Sequence, residues 1–301
     1  MDKNQKLIVI TGATSFIGGH LLSALLNKGY SLIGITRDNL ATDLKEHRNL
    51  KWINWEEFSD HRDTLNLKIL CVIHLATDYG RKKIEPSKVL DSNFQQPAAL
   101  FSAAISMGAK KIIFADTFYG KPQFNYPHLN EYTSSKKKLL DWCIKKSKCC
   151  DTSFLNARFE HVFGPNDNKD KFIPQIIYKL KNLQTPIKLT SGNQKRDFIY
   201  IDDLIAALMA LIKKPNTKKF EEYEIGNGYS VSLQEMLETL LETYDTDSSI
   251  LEFGVIETRP KEIMDSFANI KPLNKLGWKP KWDLKSAFLD MKIKEDRNFL
   301  K

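Results

Sequence analysis

Residues 7–22 read Leu-Ile-Val-Ile-Thr-Gly-Ala-Thr-Ser-Phe-Ile-Gly-Gly-His-Leu-Leu. The apolar run 7–10 predicts a buried parallel strand that breaks at Thr11-Gly12. Phe16-Ile17, His20-Leu21-Leu22 and Leu25-Leu26 then recur at helical spacing. Strand, glycine turn and helix N-terminus together make a phosphate cradle. The turn frees backbone N–H groups, the helix dipole favours negative charge, and glycine admits a pyrophosphate close to the backbone. A second strand, residues 30–36 (YSLIGIT), follows one helix later, as in dinucleotide-binding α/β folds.

A chain of 301 residues suits one large domain or two closely associated ones. No run is long and apolar enough to span a membrane, and the opening MDKNQK lacks an apolar signal segment. Four cysteines without a CxxC pair or metal-ligand spacing predict a reducing, cytoplasmic setting and no metal. The net charge of +8 comes from scattered lysines with short clusters such as Lys136-Lys137-Lys138. That is a solvated basic surface rather than a nucleic-acid site, and it suits an anionic, phosphate-bearing substrate.

At the end of the second strand, dinucleotide folds usually place an acid on the adenosine ribose. Thr36-Arg37 stands there instead, and a guanidinium pairs with a 2′-phosphate, so NADP(H) is expected. Further strands are expected over 51–55, 67–77, 111–115, 152–158 and 223–228, with helices over 93–107 and 204–212. His74 is isolated among apolar residues and reads as a packed core histidine. Tyr132 and Lys136 lie one helical turn apart, on one face. A phenol titrates near 10, so it needs a nearby cation to exchange a proton at neutral pH. Lys136 is expected to lower the Tyr132 pKa in that way.

These stretches, in this order, resemble the extended short-chain dehydrogenases/reductases, the NAD-dependent epimerase/dehydratase family. Thr11, Gly12 and Gly18 match its Thr-Gly-x-x-Gly-x-x-Gly loop, with Ser15 in place of the middle glycine. His74-Leu75-Ala76-Thr77, Asn93, the Tyr132–Lys136 pair, Arg158 through Pro165, Arg196 through Asp203 and Arg259-Pro260 match later motifs. The resemblance implies an α/β fold: a Rossmann-type doubly wound parallel sheet with a smaller mixed α/β substrate domain. Residues 1–163 plus 198–228 would form the first, and 164–197 plus 229–301 the second. It implies a cofactor site at Thr11, Gly12, Thr14, Ser15, Phe16, Ile17, Gly18, Leu75, Ala76, Thr77, Asn93, Tyr132 and Lys136, besides Arg37. It implies a substrate site at Tyr79, Arg158, His161, Phe172, Ile173, Arg196 and Arg259, and a homodimer packed through helices 93–107 and 132–146.

The activity implied is NADPH-dependent reduction of the C4 ketone of a CDP- or dTDP-linked 4-keto-6-deoxy or 3,6-dideoxy hexose. Tyr132 would protonate the developing alkoxide. The family's carbonyl-binding hydroxyl falls by counting on Ala115, so Thr117 is assigned that role, with Asp116 beside it. Dehydratases of the family carry an Asp-Glu pair here, whereas Asp116 is followed by Thr117. A 4-epimerase with bound NAD is the alternative. A non-catalytic NADP-binding regulator is a third reading, though such proteins commonly lose the Tyr or the Lys.

Overall fold

A computed structural model describes residues 7–36, 46–60, 68–80, 84–182 and 186–299. In chain order the strands and helices begin with β1 (Leu7–Thr11), α1 (Phe16–Asn27), β2 (Ser31–Thr36), β3 (Leu50–Asn54), α2 (Trp55–Asp60) and β4 (Ile69–His74). Next come α3 (Pro86–Leu90), α4 (Gln96–Ser106), β5 (Lys111–Thr117), α5 (Asn130–Ser147), β6 (Ser153–Phe159), β7 (His161–Phe163), α6 (Phe172–Lys181) and β8 (Ile187–Lys188). They continue with β9 (Lys195–Arg196), β10 (Phe198–Tyr200), α7 (Ile201–Lys213), β11 (Phe220–Ile225), β12 (Val231–Ser232) and α8 (Leu233–Thr243). β13 (Leu251–Glu252), α9 (Lys271–Asn274) and α10 (Leu284–Phe299) complete the series. Two compact units divide the chain. Met1–Gln123, Pro127–Arg158 and Leu208–Tyr223 form one; Phe124–Tyr126, Phe159–Ala207 and Glu224–Lys301 form the other.

The first unit is built on a seven-stranded sheet in the order β11-β6-β5-β4-β1-β2-β3. β1 pairs in parallel with both β2 and β4, so the strand order reverses beside it. Ligands of such sheets bind at the carboxyl ends of the strands flanking that reversal. Leu7, Val9, Ile33, Val72, Ile112 and Phe114 from the strands pack with Phe101, Leu139 and Phe154 in one apolar core. The strands read as continuous apolar runs because both faces of a parallel sheet are covered. Among the described residues, no helix is long and apolar enough to cross a membrane.

Several expected boundaries move. The helix expected over 93–107 is already helical from Pro86, and residues Asp91–Gln95 form a π turn between α3 and α4. Pro97 has no N–H to give the carbonyl four residues back, and a π turn accommodates that loss. The strand expected over 223–228 is β11 (Phe220–Ile225) instead. Past it, the Asn227 and Gly228 amides donate to the Asp197 carboxylate, at 2.6 and 2.9 Å, rather than to a neighbouring strand. The fifth strand extends beyond Ala115 to Thr117.

Lys111 opens β5 yet is buried. Its ammonium donates to the carbonyls of Leu211, Ile212 and Lys214 at 2.8, 2.8 and 2.6 Å, closing the C-terminal end of α7. A cation there also suits the helix dipole. Lys111→Met is expected to destabilise the protein by about 2–4 kcal/mol, since carbonyls lose their donor. Urea unfolding checks this; an unchanged midpoint would mean that water replaces the ammonium at no cost.

In the second unit, β7 pairs with β10 in parallel, β9 with β12 in antiparallel and β8 with β13 in parallel. Asp203 at the start of α7 accepts from the Lys281 and Trp282 amides, at 2.9 and 3.0 Å, and its carbonyl accepts from the Trp278 indole. The Ser232 hydroxyl accepts from the Glu235 amide and caps α8.

Candidate active site

In the first unit the β1–α1 turn is held from within. Gly12 has φ +69°, and a Cβ there would lie 2.6 Å from the Ala76 nitrogen, so the turn and the β4 exit approach too closely for a side chain. The Ser15 amide donates to the Gly12 carbonyl at 3.0 Å. The Ser15 hydroxyl, standing where the family has glycine, accepts from the Gly18 amide at 3.2 Å and caps α1. No acidic side chain occupies the first turn of α1. That combination of close approach, helix N-terminus and no opposing carboxylate fits a pyrophosphate.

Thr11 joins the two strand ends. Its carbonyl accepts from the Leu75 amide at 3.2 Å and its hydroxyl from the Ala76 amide at 3.3 Å. A side-chain oxygen thus replaces the sheet ladder at Ala76, and the strand expected to run to Thr77 ends at His74. His74 Nδ1 lies 2.7 Å from the Thr11 hydroxyl. Burial, then the Lys136 charge, hold the imidazole neutral, well below its ordinary pKa. It is a packed core histidine.

Asn93 is buried in the π turn and engaged on both sides of its amide. Its oxygen accepts from the Asp78 amide at 2.8 Å and the Thr77 hydroxyl at 3.3 Å. Its nitrogen donates to the Asp78 carbonyl at 2.7 Å and the Ser135 hydroxyl at 3.1 Å. Asn93 therefore pins the β4 exit to α5, one residue from Lys136.

Tyr132 and Lys136 both point inward from α5, at 5% and 4% exposure. Burial raises the Tyr132 phenol well above its ordinary value, Tyr79 and Asp116 add to this, and a hydrogen bond with Thr117 opposes it. This corrects the expectation that Lys136 depresses the phenol: the Lys136 ammonium is directed to the Ala115 carbonyl at 3.0 Å. Burial lowers Lys136 itself to about 8, with Asp116 acting the other way. Thr117 is in extended backbone, so it shares a sheet face with Ala115 while Asp116 takes the opposite one. The Asp116 carboxylate accepts from Arg158 Nε and Asn156 Nδ2, both at 3.0 Å, and Arg158 also meets Glu222 at 3.2 Å. Asn156 and Glu222 were not anticipated. Asn156 and Arg158 alternate along β6, the period that puts them on one face.

Arg37, on which the NADP(H) expectation rests, lies outside the described residues. In the second unit, the buried Arg196 guanidinium donates to the Lys195 and Ile263 carbonyls and pairs with Glu262. Its neighbour Asp197 accepts from the Asn227, Gly228 and Ala268 amides and is a structural clamp. His161 packs on Phe198, and burial with Arg196 and Lys171 lowers it to about 3, so it is neutral. Phe172 is exposed and Ile173 buried at the start of α6; exposed Arg259 donates to the Tyr126 hydroxyl at 3.3 Å. Among the described residues, no cluster of His, Cys, Asp or Glu is arranged to hold a metal ion.

The NAD dependent epimerase/dehydratase family matches residues 8–226, and the chain belongs to that family, whose enzymes are of oxidoreductase type and use a nicotinamide dinucleotide. It is 37% identical over 291 residues to a CDP-abequose synthase of Salmonella typhimurium, covering 95% of this chain and 97% of the relative. A CDP-abequose synthase of Salmonella muenchen is 33% identical over 292 residues, covering 97% and 98%. The solved structure of MoeE5 in complex with UDP-glucuronic acid and NAD superposes with a TM-score of 0.81 at 22% identity. It covers 97% of this chain and 99% of that one, a likeness of fold.

Proposed function

We propose that the protein is an NADPH-dependent 4-ketoreductase acting on a nucleotide-linked 4-keto-6-deoxy or 3,6-dideoxy hexose, as in O-antigen sugar synthesis. The supporting observation is the buried Tyr132 phenol, kept protonated, bonded to Thr117 and one turn from Lys136. A neutral phenol is the protonation state a reductase needs, because it must give a proton away. The relatives named CDP-abequose synthase support the substrate class. The Asp116-Thr117 sequence supports reduction over dehydration, since no second carboxylate follows Asp116. Four free cysteines, two of them buried, suit a reducing, cytoplasmic setting.

The Thr11–Gly18 turn, Leu75–Thr77 and Lys136 would hold the dinucleotide, and Arg37 its 2′-phosphate. Hydride for the sugar C4 would come from the nicotinamide held there. Thr117 Oγ1 orients the carbonyl, Tyr132 Oη passes its proton to the developing alkoxide, and the Lys136 ammonium would bond the nicotinamide ribose. Arg196 and Arg259 would meet the substrate diphosphate.

The test is NADPH consumption with CDP-4-keto-3,6-dideoxyglucose and with dTDP-4-keto-6-deoxyglucose. Turnover of either supports a reductase and tells which nucleotide is used. Turnover of neither, with interconversion of C4 epimers, would establish the epimerase reading instead.

The ionisation of Lys136 gives a pH prediction. Its ammonium is present below about 8 and lost above, whereas Tyr132 stays protonated. The kcat/KM for reduction is expected to be level below that pH and to fall about tenfold per unit above it. Lys136→Arg should remove this limb if the charge is what matters. Stability takes the opposite sign: between about 8 and the ordinary lysine value of 10.5 the unfolded chain binds more protons, so folding strengthens as pH rises.

A further inference from the structure

Tyr79 is 39% exposed, yet its ring is stacked on Tyr132, with centroids 4.9 Å apart and an interplanar angle of 32°. Its backbone is held in place: Asn93 grips the preceding Asp78 amide and carbonyl, and the Asp78 carboxylate accepts from the following Gly80 amide at 2.9 Å. An exposed aromatic side chain is thus fixed beside the one phenol that has to touch the reacting carbonyl. A proton donor must come within about 3 Å of that oxygen. A sugar ring seated there lies within reach of the neighbouring Tyr79 ring. The Tyr79 ring face is apolar, so it matches C–H edges and a methyl group better than a hydroxymethyl group.

We propose that Tyr79 is a specificity-determining residue, a wall against which the hexose of a nucleotide-linked 6-deoxy sugar lies while Tyr132 faces its C4 oxygen. This rests on the reading of the site as a nucleotide-sugar reductase, and it adds the feature of the sugar that the site selects. The wall favours a C6 methyl because burying it against the ring strips no hydroxyl of its hydrogen bonds. Tyr79 takes no part in the proton transfer, and it is separate from the turn that would hold the dinucleotide phosphates.

The experiment measures calorimetric affinity of the full chain for a CDP-linked 3,6-dideoxyhexose, for its 6-hydroxy counterpart, and for NADPH. Tyr79→Ala and Tyr79→Phe are compared with the wild type. Wild type and Tyr79→Phe are expected to prefer the dideoxy sugar. Tyr79→Ala should lose roughly three- to tenfold of affinity for it, lose less for the 6-hydroxy sugar, and keep NADPH affinity and melting temperature. Unchanged sugar affinities in Tyr79→Ala would overturn the proposal, as would a loss confined to NADPH or a retained preference for the methyl. A wild type that binds these sugars but reduces no ketosugar refutes the reductase reading and leaves the Tyr79 comparison intact. A wild type that binds neither sugar, whether linked to CDP or to dTDP, refutes both.

Discussion

Tyr132→Phe is expected to bind NADPH as the wild type does and to lose turnover by about a hundredfold or more, the scale of a positioned general acid. The phenol is buried, bonded to Thr117 and flanked by Tyr79, so removing one oxygen leaves the ring packing in place. The loss should therefore fall on kcat rather than on the melting temperature. Fluorescence titration with NADPH and steady-state assay of the ketosugar separate the two. Near-full turnover would take Tyr132 out of the mechanism, and lost NADPH affinity would make it a binding residue. Thr117→Val provides the companion measurement: if its hydroxyl orients the carbonyl, turnover falls with Tyr132 still present.

Two adjacent glycines should respond to the same change with opposite sign. A Cβ on Gly18 would lie 1.9 Å from the Gly12 carbonyl oxygen, a backbone atom that cannot turn aside. Gly18→Ala is expected to destabilise the protein by about 3 kcal/mol or more, the upper range of overpacking. It should also abolish NADPH binding, because the turn must open to admit the methyl. A Cβ on Gly19 meets nothing within 4 Å, and the residue lies inside α1. Gly19→Ala should raise stability by about 0.5–1 kcal/mol in the cofactor-free protein, since glycine is a poor helix residue. Thermal unfolding of both variants without cofactor decides the matter. A mild Gly18→Ala phenotype would mean that the turn is pliant and that its closeness is incidental to binding.

The residues of the turn, the presence of the strands around it and the Tyr132–Lys136 pair were legible because each depends on local spacing. A strand–glycine–helix pattern, a four-residue helical step and a serine before a helix are settled within a few residues of chain. The relations among these pieces were not legible. Nothing near Asn93 shows that it reaches the Asp78 backbone and Ser135, contacts that span 15 and 42 residues. Likewise the Asp116 carboxylate, read beside a catalytic hydroxyl, meets its partners Asn156 and Arg158 some 40 and 42 residues on. Ser15 stands in the sequence only as a replacement of the loop's middle glycine; the structure engages its hydroxyl with the Gly18 amide.

The chain by itself determined the fold class, the order of its main strands and helices, and a set of candidate side chains for the chemistry. Those follow from apolar periodicity, turn residues and short spacings, which act over a few residues and survive without a partner. Only the tertiary structure decided the protonation of the site. Burial, not Lys136, governs the Tyr132 phenol, and burial brings Lys136 down to about 8. Ionisation depends on how much water the folded chain removes and which distant charges it brings near, and neither quantity is written in local sequence.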